Sequence, residues 1–186
     1  MRSRLAKPVC SARPSADLPT GLIGHFQTLA RYNSAANRRL YRASATLSEE
    51  ALGRSRGAFF DSILGTLNHL LVGDKIWMAR FEGGEAPSTG LDAILFVRFD
   101  PLTAARVAMD ARIENFMANL SPAFLAGSIR YVNNEGRVFD DQLSLLLPHF
   151  FNHQTHHRGQ VHALLCQAGV AQPPVLDLHR VLKPDP

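Results

Sequence analysis

Four stretches of the chain repeat their apolar residues every three or four positions, the period of an amphipathic helix. The first runs from about Thr20 to Thr46 and carries Leu22, Ile23, Phe26, Leu29, Ala30 and Leu40. The second runs from about Gly57 to Phe81, with a broad face of Phe59, Ile63, Leu67, Leu70, Leu71, Trp77 and Met78. The third opens at Asp100-Pro101 and stops near Leu120, before Ser121-Pro122. Asp is a good N-cap there, and Pro is pre-set for the first helical position. The fourth begins near Asp140 and reaches about Ala168, with Gly169 as its stop signal. Pro148 falls inside it. A proline there predicts a kink, or a helix that begins near Pro148 after a separate short helix over Asp140–Leu147.

The connections narrow the architecture. Residues 82–100 hold Gly83-Gly84, Pro87 and Gly90 and read as a long loop. Extended, such a loop reaches up to about 60 Å. A 25-residue helix is about 37 Å long, so the loop can cross a whole bundle and leave helices two and three parallel. Ser128–Val132 and Arg137-Val138-Phe139 flank Asn133-Asn134-Glu135-Gly136, which predicts a short β-hairpin packed on the helices. The expected fold is all-α: a four-helix bundle with a long crossover between helices 2 and 3 and a hairpin before helix 4.

Length and composition remove other classes. At 186 residues, 46% hydrophobic and 19% charged, the chain suits one domain with a sizeable core and not a disordered chain. No apolar run approaches the roughly 18 residues of a membrane span. There is no glycine-rich phosphate loop and no internal repeat. The formal charge of +4 is misleading. Arg2, Arg4, Lys7 and Arg13 precede the first acid, Asp17, and the remainder of the chain is balanced. A nucleic-acid binder concentrates charge on its folded surface, so no nucleic-acid partner is expected. Residues 1–18 read as a disordered basic tail and 19–186 as one domain. The tail lacks the apolar stretch of a secretory signal. Two cysteines, Cys10 and Cys166, give no disulfide framework and suit a reducing, cytoplasmic compartment.

Five of the eight histidines lie between His149 and His162. His149, His153 and His157 are spaced i, i+4, i+8 and share one helix stripe. With this composition one i, i+4 pair is expected about 0.3 times by chance, and a run of three on the order of 0.01 times. The run therefore favours a metal site of the helical His-x-x-x-His kind. His69, mid-helix in the second segment among apolar residues, is the best third ligand. His149 is either a fourth ligand or a group lining the site. His156 lies beside the pair, and His162 is off the stripe and structural. Cys166 falls about half a turn away from His157 and should not face the metal. Arg158 is read as pairing with an acid of the bundle such as Asp74, with a substrate carboxylate as the alternative.

The segment Ser62-Ile-Leu-Gly-Thr-Leu-Asn-His69-Leu-Leu-Val-Gly-Asp74-Lys-Ile-Trp77 and the segment Phe151-Asn-His153-Gln-Thr-His-His157-Arg158-Gly159-Gln160 resemble the DinB-like (DinB/YfiT) damage-inducible proteins. Arg31-Tyr-Asn33 and Asn134-Glu-Gly136 add to the resemblance, which spans about residues 20–178. It implies an up-down-down-up bundle with a divalent metal on His69, His153 and His157, and a homodimer. Asn33 and Asp74 match family positions, which implies that either orients a ligand imidazole or lines the cavity, with a surface salt bridge as the alternative for Asp74. It also implies a small-molecule partner, since some members are thiol S-transferases or isomerases that use low-molecular-weight thiols. Zn or Ni is expected, with Fe or Mn as alternatives. Three neutral imidazoles leave the ion's charge uncancelled and at least one position open, the arrangement of a Lewis acid. The functional expectation is a metal-dependent thiol S-transferase. A metal-dependent hydrolase or a non-catalytic, metal-stabilised stress-response protein are the alternatives.

Overall fold

A computed structural model describes residues 21–133 and 135–183. The expected tail, Cys10 and Asn134 lie outside the described residues. The described chain forms seven helices and one hairpin. Four helices are long: α1 (Gly21–Ser44), α3 (Ile63–Phe81), α4 (Phe99–Ala118) and α6 (Leu143–Gln167). The short ones are α2 (Glu49–Gly53), α5 (Pro122–Leu125) and α7 (Leu178–Leu182).

Local chemistry sets the boundaries. Helix α3 starts at Ile63, six residues later than the apolar period suggests. Asp61 takes a left-handed backbone with φ 64°, which breaks the helix, and the Ser62 hydroxyl then caps it by accepting from the Gly65 N–H. The N-cap of α4 is Arg98, not the expected Asp100. Asp100 and Pro101 sit instead in the first turn, where a missing N–H costs nothing. The carboxylate of Glu49, from α2, accepts from the Phe99 N–H at 3.1 and 3.2 Å and supplies the cap from a distance.

Strands β1 (Ser128–Val132) and β2 (Val138–Gln142) pair antiparallel from Ser128↔Gln142 to Val132↔Val138. Asn133 builds the turn, its side-chain oxygen accepting from the N–H groups of Glu135 and Arg137. Gly136 supplies the positive φ of 79°. The second strand consumes Asp140–Gln142, so the fourth long helix begins at Leu143, and it continues through Pro148.

Contacts between the long helices fix their directions. On α1 and α6, Phe26 stacks with Phe151 and Asn33 meets Arg158, so these two run the same way. On α3 and α6, His69 meets His157 while Trp77 meets His149, so they run oppositely. Asp74 pairs with Arg106 and Glu82 with Arg112, so α3 and α4 are parallel. Segment 82–98 therefore returns along their length. Tyr41 on Phe99 and Asn37 on Asp110 make α1 and α4 antiparallel. One core cluster joins all four, including Phe26, Leu40, Leu67, Leu71, Leu102, Ile113, Leu147 and Phe150.

Candidate metal centre

His69 projects from the middle of α3 toward the stripe of α6. Its Nε2 lies 3.1 Å from Nε2 of His153 and 3.1 Å from Nε2 of His157. One donor atom from each of the three residues lies within 4.8 Å of the others. His69 and His157 are buried and His153 is half-buried.

Hydrogen bonds at the far side of two rings decide what the converging nitrogens carry. His69 Nδ1 is 2.7 Å from the carbonyl oxygen of Leu91. A carbonyl only accepts, so Nδ1 holds the proton and Nε2 presents a lone pair. His157 Nδ1 is 2.7 Å from Gln160 Oε1, and Gln160 Nε2 is 3.2 Å from His156 Nε2. This orients the Gln160 amide so that its oxygen accepts from His157 and its nitrogen donates to His156. The Nε2 atoms of His69 and His157 are thus two acceptors 3.1 Å apart with no proton between them. A cation resolves that clash. Tetrahedral zinc with Zn–N of about 2.0–2.1 Å needs nitrogens about 3.3–3.4 Å apart, close to what is present, so the residues fit the group.

The second layer is apolar and tight. The Phe60 ring stacks on His69 at 3.7 Å and 15°, and meets His157 edge-on. A Cβ placed on Gly73 would lie 2.9 Å from Cε1 of His153. Only glycine at that position lets the imidazole approach α3.

Burial holds all three imidazoles neutral. It lowers the pKa of His69. It takes His153 down to about 3, helped by the neighbouring imidazoles. It takes His157 down to about 4, against the opposing bond to Gln160. Neutral imidazole is the form that ligates.

The structure separates the other candidates from this cluster. His149 is exposed, with its ring 5.3 Å from Trp77 and 6.3 Å from His153. Asn33 and Asp74 bond no imidazole among the described residues. They belong to a buried polar network that spans α1, α3, α4 and α6. Arg106 is its centre, 2.5 Å from Asp74 and 2.9 Å from Asp110. Gln154 donates to Asp74, Asn37 donates to Asp110 at 2.9 Å, and Arg158 donates to Asn33. Burial raises the pKa of Asp74 to about 6, against the pull of Arg106. The surface salt bridge considered for Asp74 is replaced by this fully buried one. Arg158 reaches Asn33 and not an acid directly. Cys166 is exposed.

Leu91 and Phe60 were not singled out by sequence reasoning, whereas a glycine inside a helical period, as at Gly73, is a visible sign of close packing. The contacts of Leu91 and Phe60 with His69 come from the loops that follow and precede α3, which no periodicity reveals. Gln160 had a visible signal, its i, i+3 spacing from His157.

The molecule is thus an α-helical protein with a three-histidine donor set built between two of its long helices. It matches the DinB family over residues 20–184 and belongs to that family. It is also 29% identical over 156 residues to Protein DinB of Bacillus subtilis (strain 168), covering 78% of this chain and 87% of that protein. No helix among the described residues is long and apolar enough to cross a membrane.

Proposed function

We propose that the chain is a divalent-metal protein whose ion, zinc or nickel, is held by His69, His153 and His157, and that it acts as a metal-dependent thiol S-transferase on a small molecule. The carrying observation is the pair of facing acceptor nitrogens of His69 and His157 at 3.1 Å. Iron or manganese are the alternative ions, since imidazole does not discriminate sharply. The bound ion supplies Lewis-acid chemistry, lowering the pKa of a thiol or a water toward neutrality.

The chain's own residues do the rest. Leu91 and Gln160 hold the proton on Nδ1 of two ligands and so aim Nε2 inward. Phe60 shields the His69 face from water. His149 stands outside the donor set, which leaves a coordination position for a substrate and supports an enzyme over a purely structural ion. The helix directions support an up-down-down-up four-helix bundle with residues 82–98 as its crossover. A homodimer is part of this reading, supported by Leu22 on α1 and Leu145 on α6, both exposed. So is a cytoplasmic location, supported by the exposed Cys166, which has no disulfide partner among the described residues.

Elemental analysis of the purified chain tests the site. About one divalent transition metal per chain is expected, lost in His153→Ala/His157→Ala while the helical circular dichroism remains. A wild-type chain that takes up no metal after reconstitution at neutral pH sinks the proposal. With metal established, transfer of a low-molecular-weight thiol to an electrophile is screened beside ester and amide hydrolysis. Turnover in the second panel alone would replace transferase with metal-dependent hydrolase. Turnover in neither, with a large drop in melting temperature on chelation, would favour the metal-stabilised stress-response protein.

A further inference from the structure

The two buried arginines of the polar network are treated differently by their surroundings. Arg106 touches two carboxylates, Asp74 and Asp110. Arg158 is as deeply buried, at 2% exposure, yet pairs with no carboxylate among the described residues. Its Nη1 donates to Asn33 Oδ1 and its Nη2 to Thr155 Oγ1 at 3.2 Å. Its Nε is buried with no hydrogen-bond partner among the described residues. The guanidinium lies 5.1 Å over the Tyr32 ring, which provides a π face but no counter-charge. Asp74 and Asp110 attract it across the network, but no carboxylate among the described residues touches it, and an anion in direct contact would strengthen the hold on this buried charge.

Arg158 also lines a cleft of about 410 Å³. Tyr32, Thr155 and His162 share its wall. The strap before α7, Pro173 to Asp177, which is mainly apolar, also lines the cleft. The strap is tied down by Tyr32 O–H to the Leu176 carbonyl at 2.6 Å and by Arg39 to the Val175 carbonyl at 2.9 Å. The cleft therefore joins a buried cation, a histidine and an apolar surface in a shape held at both sides.

We propose that this cleft binds the carboxylate of a small organic acid with an apolar body, the carboxylate at Arg158 with His162 beside it. The apolar body lies against Pro174 and Leu176. Asp177 is the one acid on the cleft wall. A plain acid keeps clear of it, whereas an amino acid sets its ammonium against it. This site is separate from the histidine cluster and does not depend on the reading of that cluster.

Gly159 gives the cleanest perturbation. It lines the cleft, and a Cβ there meets nothing within 4 Å, so Gly159→Leu projects into open space and leaves Arg158 in place. The probes are benzoate, phenylalanine and benzylamine, titrated by calorimetry into the metal-free full chain. Saturable binding of benzoate or phenylalanine is expected, and none of benzylamine. Affinity for the acid should fall about tenfold or more in Gly159→Leu with the melting temperature unchanged or raised. It should be retained in His153→Ala/His157→Ala. Preference for phenylalanine over benzoate places the ammonium at Asp177, and Asp177→Asn should abolish that preference. No saturable binding of either acid, equal binding to Gly159→Leu, or loss in the double histidine variant would each overturn the proposal.

Discussion

Replacing Gly73 by alanine sets two effects against each other. Gly73 is in the interior of α3, where alanine is favoured over glycine by about 0.8–1 kcal/mol of helix propensity. For a chain of this size that corresponds to roughly 2–4 °C in melting temperature. The new methyl, however, would sit 2.9 Å from Cε1 of His153. Ordinary carbon contacts lie at about 3.5–4.0 Å, so the ring must retreat by about 0.6 Å or more. The ring is the free end of a half-buried side chain, so it yields and the helix does not. The fold of Gly73→Ala should survive, with an unchanged or slightly higher melting temperature for the metal-free chain. The displaced Nε2 no longer closes on its partners, and metal affinity should fall about 10–100-fold, the range seen when a ligand loses its support. Competition titration with a chromogenic chelator measures the affinity, and circular dichroism the stability. Wild-type affinity in Gly73→Ala would refute the claim that α3 sets the position of His153. A large fall in metal-free stability would refute the claim that the ring is what moves.

Three further outcomes follow from the same contacts. Gln160→Leu should weaken metal binding about tenfold or more, while Gln160→Glu, which keeps an acceptor for His157 Nδ1–H, should bind at least as tightly as wild type; equal affinities in all three would remove Gln160 from the site. Arg106→Met leaves Asp74 and Asp110 buried without their cation and should cost about 3–5 kcal/mol in urea unfolding. Replacing Asp74 and Asp110 by apolar residues in the same chain should recover most of that loss, and failure to recover would deny that the unpaired charge is the cause. The folded-state pKa values of His153 and His157, about 3 and about 4, lie below the ordinary histidine value of 6.5. The unfolded chain therefore takes up protons that the folded one refuses, and these two groups lose their contribution as pH falls from about 6.5 toward 3. Asp74, raised by burial, acts in the opposite sense, so the comparison needed is with His153→Ala/His157→Ala in the absence of metal. The wild type should lose more stability than that variant over this window, and parallel curves would show that the pair does not titrate as described.

The helical period, the Asn–Gly turn and the glycine-rich loop were legible because each is a local property. The spacing of apolar residues reports which side of a helix is buried whatever it is buried against. So the long helices and the hairpin appeared near their places. The errors lie at the ends: α3 begins at Ile63 because a strained Asp61 and the Ser62 cap outrank the apolar residues before them. The start of α4 moved because its cap comes from Glu49, fifty residues away. Asp74 and Asn33 carried the right residue types for support of an imidazole, yet their partners are Arg106 and Arg158. Side-chain type alone does not say on which side of a helix a polar network will close.

For this chain, the sequence alone determined the long helices, the shared stripe of His149, His153 and His157, and the candidacy of His69, since all three follow from residue patterns along single segments. Tertiary structure decided which of those histidines meet, with His149 left on Trp77 and the other three drawn together. It also decided their protonation, through the carbonyl of Leu91 and the amide of Gln160, and their environment, through Phe60 and Gly73. Orientation, tautomer and burial depend on atoms brought near by folding, and spacing along one segment carries no record of what the other segments will place against it.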